Sequence, residues 1–189
     1  MKSSYNIILS SKSPRRQGLL KELGWKFTIK VKDVEEVYPD HLIREEVPLF
    51  LSELKAAAFT EELSEKDLLI TADTVVYIDD RIIGKPIDYE DAVKILKLLS
   101  GKKHEVITGI CLKSKSKQKC FHVVTDVFFK VLSDHEIQYY IEQYKPFDKA
   151  GAYGIQEWIG LIGIEKINGS YFNVMGLPVK ELYDEVMAF

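Results

Sequence analysis

The segment DLLITADTVVY, residues 67–77, constrains the fold more than any other stretch of the chain. Its apolar and β-branched residues fall at consecutive rather than alternating positions, so both faces need cover, as in a central strand of a sheet packed on two sides. Covering both faces calls for helices, and helical spacing flanks the segment, with Leu19, Leu20 and Leu23 before it and residues 88–99 after it. The expected class is α/β. Asp73 and Thr74 interrupt the apolar run. An ionised carboxylate is costly to bury unless paired or metal-bound, which leaves two readings of Asp73. Either it opens onto a cleft, where it coordinates a cation or polarises water, or it is bonded by N–H groups of a neighbouring loop.

Around this strand, Tyr5 to Ser11 reads as a strand, followed by a helix that Ser13 caps, Pro14 starts and Gly24 ends. Lys26 to Val31 reads as a second strand and Asp33 to Asp40 as an acidic loop. Pro48 to Leu63 has helical periodicity, with Leu51, Leu54, Lys55 and Ala58 on one side. Asp79-Asp80 predicts a turn before residues 81–84, and Asp88 caps a helix that Ser100-Gly101 stops. Glu105 to Leu112 and Phe121 to Leu132 alternate like an antiparallel hairpin, and Ser133 with Glu136 forms a capping box for a helix to Tyr144. Pro146 to Gln156 reads as loop, Leu161 to Ile167 as strand and Leu177 to Met187 as a terminal helix. No internal repeat or low-complexity linker divides the chain, so the expectation is one domain over 1–189, a mixed, twisted sheet flanked by helices, with two lobes around a central cleft.

Charge and motif content remove several function classes. Lys plus Arg total 26 against 29 Asp plus Glu, a net of -3, which argues against a broad phosphate-binding surface for duplex DNA. The lysine run at 113–119 reads as a solvated hairpin tip, with single-strand nucleic-acid binding as its rival, because no aromatic residues interleave with the lysines. Cys111 and Cys120 are too few for a disulfide framework and are expected near each other across the hairpin as ordinary thiols. The N-terminal apolar run is too short for a signal peptide, and no stretch approaches a membrane span, so a cytoplasmic protein with no membrane partner is expected. No G-x-x-x-x-G-K-[ST], G-x-G-x-x-G, H-E-x-x-H, C-x-x-C or G-x-S-x-G pattern occurs.

The polar residues that remain lie where apolar elements end, the usual place for ligand groups in α/β proteins. Ser13-Pro14-Arg15-Arg16 puts two cations at a helix N-terminus, fit either for phosphate oxygens or for a capped surface helix with solvated arginines. Gly84-Lys85-Pro86 holds a lysine in a stiff turn suited to a phosphate contact. In residues 148–156, DKAGAYGIQ, small residues let backbone approach a ligand, and Gln156 offers a donor and an acceptor to a base edge. Residues 168–170 and 176–178 read as turns, and His104 as a structural rather than a catalytic histidine.

Assembled in order, the blocks LSSKSPRRQGLL at 9–20, TADTVV at 71–76 with GKP at 84–86, LSGKKHEVITG at 99–109, DKAGAYGIQ at 148–156 and INGSYFNVMGLP at 167–178 resemble the Maf family of nucleoside triphosphate pyrophosphatases. The likeness covers nearly the whole chain, and Ser10 departs from it where the family usually has Ala. The resemblance implies a fold like that of the inosine triphosphatases and hydrolysis of a nucleoside triphosphate to monophosphate and pyrophosphate, a house-cleaning of the nucleotide pool, with Mg or Mn. It implies that Asp73 is the catalytic proton acceptor, and that Arg15, Thr74 and Gln156 mark the branch acting on dTTP and UTP. On the same basis Ser11, Arg15, Arg16, Lys55 and Lys85 are expected to hold the triphosphate, and Glu36, aligned by counting from Gly24, to hold the metal with Asp73. The rival implied by the family's name is a nucleotide-sensing regulator of cell division and septum formation that binds without hydrolysis. A homodimer stays open; no nucleic-acid partner is expected.

Overall fold

A computed structural model describes residues 5–189; residues 1–4 of the expected 1–189 domain lie outside it. Strands β1 (Asn6–Ser10), β2 (Phe27–Ile29), β3 (Asp67–Ile78), β4 (Arg81–Ile83), β5 (Lys103–Lys113), β6 (Gln118–Phe129) and β7 (Ile164–Asn168) form one mixed sheet in the order β2-β1-β3-β5-β6-β7, with β4 against β3. Helices α1 (Pro14–Glu22), α2 (Glu46–Ala57), α3 (Tyr89–Leu99), α4 (Asp134–Tyr144), α5 (Trp158–Gly163), α6 (Tyr171–Val174) and α7 (Val179–Ala188) flank it.

The apolar segment is the centre of this sheet, and its two faces are covered by different helices. Leu68, Ile70 and Ala72 pack with Leu19 and Leu20 of α1 and Leu182 and Val186 of α7. Alternate residues face α2, where Leu69 joins Ala56 and Phe59, and Val75 joins Val47 and Leu51. Farther along, Val76 and Ile78 enter the cluster of α3 and α4, with Leu96, Ile137 and Tyr140. Each fully buried leucine or isoleucine contributes about 1.5–3 kcal/mol relative to exposure, so this strand alone anchors a large share of the core.

Local rules account for most element ends. The Ser13, Asp88 and Ser133 side chains accept backbone N–H groups at the starts of α1, α3 and α4, and the reciprocal Glu136 bond completes the capping box. Helix α2 starts earlier than its periodicity suggests, at Glu46, because Pro48 falls in the first turn, where its missing N–H costs nothing; it ends at Ala57 rather than Leu63. The expected strand Leu161 to Ile167 is corrected. Its first half belongs to α5, and the strand is Ile164–Asn168. In so short a segment the apolar residues Leu161, Ile162, Ile164 and Ile167 do not distinguish the two by periodicity. Residues 171–174, beyond the turn expected at 168–170, form α6, capped by Ser170. Cys111 and Cys120 stand directly opposite each other across the β5–β6 pair as free thiols. Among the described residues, no helix is long and apolar enough to cross a membrane.

Candidate active site

One stretch of the central strand lacks a neighbour on one side. Strand β1 stops opposite Thr71 and β4 pairs only from Val76, so residues 72–75 have β5 on one edge and a notch on the other. A buried carbonyl needs a donor, and that of Ala72 takes one from a side chain, Arg16 Nη1 at 2.9 Å. Because side chains alternate along a strand, Asp73 leaves this notch toward α2 and Thr74 toward α1. A single opening therefore reaches both faces of the sheet.

The notch opens into a cleft of about 640 Å³. Its walls bring together each residue singled out in the sequence: Asp73, Thr74, Ser11, Arg15, Arg16, Glu36, Lys55, Lys85 and Gln156. Asp73 is 9% exposed, and its Oδ1 accepts from Lys55 Nζ at 2.6 Å. No described residue bonds its Oδ2. The same Lys55 ammonium lies 3.0 Å from Glu36 Oε1, so carboxylates from two distant segments converge on one cation. Asp73 thus lines the cleft, and its one hydrogen bond to a described side chain comes from Lys55 rather than from loop N–H groups.

Gly109 of β5, paired with Asp73 across the sheet, explains how α2 comes so close. A Cβ at Gly109 would lie 2.4 Å from the Pro48 carbonyl carbon and oxygen, so the start of α2 rests directly on strand backbone. Thr71 Oγ1 donates to the Ser52 carbonyl at 2.6 Å and pins the next turn.

Of the paired arginines, Arg16 is committed to the protein. Its Nε donates to the Gly176 carbonyl at 2.7 Å and its Nη2 to Thr74 Oγ1 at 2.8 Å; with Nη1 on Ala72, two of its five N–H groups remain. Burial lowers its pKa, against the opposing pull of Asp73. The Thr74 hydroxyl also shares a 2.9 Å hydrogen bond with Thr108. Arg15 Nη1 donates to Asp148 Oδ2 at 2.9 Å. Lys85 is exposed at the cleft wall and pairs with no carboxylate among the described residues. Ser11 Oγ accepts the Ser13 N–H at 3.2 Å.

The 148–157 loop is held by a chain of polar groups, buried at Lys149 and Tyr140 and exposed at Asp148, whose linkage sequence reasoning missed. Lys149 Nζ lies 2.7 Å from Asp148 Oδ1 and 3.1 Å from Glu157 Oε1. The Tyr140 hydroxyl of α4 donates to Glu157 Oε2 and accepts the Gly154 N–H at 2.9 Å. Burial works to raise the Asp148 carboxyl, but hydrogen bonds from Lys149 and Arg15 outweigh it and hold its pKa down to about 2. Burial, with the Glu157 hydrogen bond, pushes the Tyr140 hydroxyl up.

Two other sequence features stand outside the cleft. His104 is buried with Nε2 2.8 Å from the Tyr153 hydroxyl, and burial pushes its pKa down to about 3, in keeping with a structural histidine. The lysine run is a hairpin tip whose cations have local partners, Lys115 with Glu65, Lys119 with Glu185 and Lys117 over the Phe189 ring.

Asp73 and Glu36 are a fit for magnesium or a similar hard cation, which takes one or two protein carboxylates and fills its shell with phosphate oxygens and water. Among the described residues no cluster of three or more His, Cys, Asp or Glu forms an all-protein cage. The donors thus suit an ion brought with a polyphosphate.

Known proteins resemble the chain over nearly its whole length. The chain is 55% identical over 183 residues to a dTTP/UTP pyrophosphatase of Phocaeicola vulgatus, covering 96% of this chain and 95% of that protein. It is 52% identical over 183 residues to a dTTP/UTP pyrophosphatase of Bacteroides fragilis, with the same coverage. Among solved structures, the Staphylococcus aureus Ham1 protein is similar at 15% identity and a TM-score of 0.49, over 97% of this chain and 98% of that one, too slight a likeness to argue from. The family profile described as Maf-like protein matches residues 6–189, from the first residue of β1 to the end of the chain, and by that match this chain belongs to the Maf family.

Proposed function

We propose that this protein is a nucleoside triphosphate pyrophosphatase that converts dTTP and UTP to their monophosphates and pyrophosphate. It acts in the cytoplasm as one domain over 1–189 and clears the nucleotide pool. The observation that carries the reading is Asp73, set in a gap of the central strand at the wall of a cleft, with Lys55 2.6 Å away. The names of relatives half identical over nearly the whole chain supply the pyrimidine preference.

In this reading Lys85, Lys55, Ser11 and the two arginines hold the triphosphate, with Lys85 free of any carboxylate for that task. Asp73 accepts the proton of the attacking water at Oδ2, the oxygen that Lys55 leaves open. Attack falls on the α-phosphorus, and pyrophosphate leaves. Negative charge builds on the bridging oxygen, where cations already in place stabilise it without reorganising. Asp73 and Glu36 would hold a magnesium or manganese ion, which when bound polarises the phosphoryl oxygens as a Lewis acid. Gln156, whose amide makes no hydrogen bond to a described residue, presents a donor and an acceptor to the pyrimidine edge, with Thr74 on the wall of the same cleft.

The test is a panel of dTTP, UTP, dCTP, dGTP and ATP with Mg, assayed for pyrophosphate and for inorganic phosphate. Pyrophosphate from dTTP and UTP is expected. Tight nucleotide binding with no product would support the nucleotide-sensing regulator instead, and inorganic phosphate as sole anionic product would contradict the reaction.

A further inference from the structure

Asp148, Lys149, Glu157 and Tyr140 take no part in the chemistry above, yet with Arg15 they form a chain that runs from the cleft wall into the core. Its signs alternate, and Lys149 at its centre is only 8% exposed. Lysine is almost never buried without partners, and replacing a buried ion pair by well-packed apolar residues is often neutral or even stabilising. Stability alone is therefore a weak reason for it. Its two ends are more informative. At one end Asp148 grips Arg15, and at the other Glu157 adjoins Gln156 in sequence, so two of the three cleft residues expected to mark the pyrimidine preference hang on the same network. The Gln156 amide makes no hydrogen bond to a described residue, so its place is set by its neighbours. The network side chains pack directly on the loop backbone, since a Cβ at Gly154 would lie 2.8 Å from Glu157 Cδ and 3.1 Å from Lys149 Cε.

We propose that Tyr140, Lys149 and Glu157 are positioning residues for base selection, which hold Arg15 and Gln156 in one frame through the 148–157 loop. The proposal rests on the pyrimidine pyrophosphatase reading above. Tyr140 is the pin, because it comes from α4, is fully buried and bonds both the Glu157 carboxylate and the Gly154 N–H. Removing Lys149 leaves Asp148 and Glu157 facing each other without their shared cation, so the loop opens and Arg15 and Gln156 lose register.

The experiment compares Tyr140→Phe, Lys149→Met and Lys149→Arg with the unaltered protein, measuring kcat and KM for dTTP, UTP, dCTP and dGTP by pyrophosphate release. Tyr140→Phe and Lys149→Met are expected to lower the ratio of kcat/KM for dTTP over dCTP about tenfold, chiefly by raising KM for dTTP. Lys149→Arg, which keeps a cation for both carboxylates, is expected to restore most of that ratio. A uniform loss on all four nucleotides, with the ratio intact, would overturn the proposal, because a merely structural pin lowers every substrate alike. Should Lys149→Met fail to fold, Tyr140→Phe decides alone, since it removes one hydroxyl and keeps the ring in its packing. If the unaltered protein releases pyrophosphate from none of the four, the pyrophosphatase reading falls and the proposal with it. Retained dTTP selectivity in the variants of an active protein sinks the proposal only.

Discussion

Gly109→Ala tests how the sheet sets the distance between Lys55 and Asp73. The added Cβ would lie 2.4 Å from the carbonyl carbon and oxygen of Pro48 and 2.5 Å from Leu49 N, all backbone atoms, whereas ordinary contact begins at 3.4 Å. The start of α2 must therefore retreat by about 1 Å, because no flexible side chain stands in the way to yield instead. Overpacking of this kind costs about 1–3 kcal/mol, which for a chain of this size lowers Tm by roughly 2–12 °C. Lys55 rides on the same helix, so its 2.6 Å bond to Asp73 lengthens with the shift, and a displacement of about 1 Å at a reacting group costs on the order of 10²-fold in rate. Thermal melting and steady-state pyrophosphate release, measured on the same preparation, give both numbers. A variant with unaltered Tm and turnover would refute the close packing of α2 on β5. One that is destabilised but fully active would show that the helix start moves without carrying Lys55.

Three further outcomes follow from the site and core. Asp73→Asn should lower turnover by on the order of 10²-fold or more while nucleotide binding, followed by calorimetry, persists; near-normal turnover would remove Asp73 from its role. His104 has a folded pKa near 3, below its ordinary 6.5, so the unfolded chain binds the extra proton. Its contribution to stability is full above about pH 6.5 and declines as pH falls toward 3, by up to about 1.4 kcal/mol per pH unit; urea unfolding at pH 7, 6 and 5 reads the slope, and a flat profile would contradict the burial. Treatment with EDTA should abolish turnover, and added Mg should restore it, with no change in Tm beforehand, because no three-ligand cage among the described residues ties an ion to the fold. A large fall in Tm on chelation would point to a resident structural metal.

The parts legible in the sequence are those governed by local rules. Consecutive apolar residues at 67–77 announced a central strand, and the side chains of Ser13, Asp88 and Ser133 marked helix starts that the structure repeats. The split of residues 158–168 into helix and strand was not legible, because the few apolar residues of so short a segment satisfy either period. The candidate residues could be named, but their arrangement could not. The notch around Asp73 exists because β1 ends five residues before β4 begins to pair, a matter of register between segments far apart in the chain. Lys55 could be placed on a helix face, yet its dual contact with Asp73 and Glu36 depends on how closely α2 lies on the sheet. Gly109 carried a usable signal, since a lone glycine inside a strand pattern marks close backbone approach. Tyr140 carried none: nothing in an amphipathic helix tells which tyrosine will reach a loop fourteen residues on.

The central claim is that the cleft directs water onto the phosphorus next to the sugar. Hydrolysis of dTTP in water enriched with oxygen-18, followed by mass spectrometry of the products, tests it most directly. One heavy oxygen in the monophosphate and none in the pyrophosphate is the predicted result. The label in pyrophosphate, or in inorganic phosphate, would contradict it.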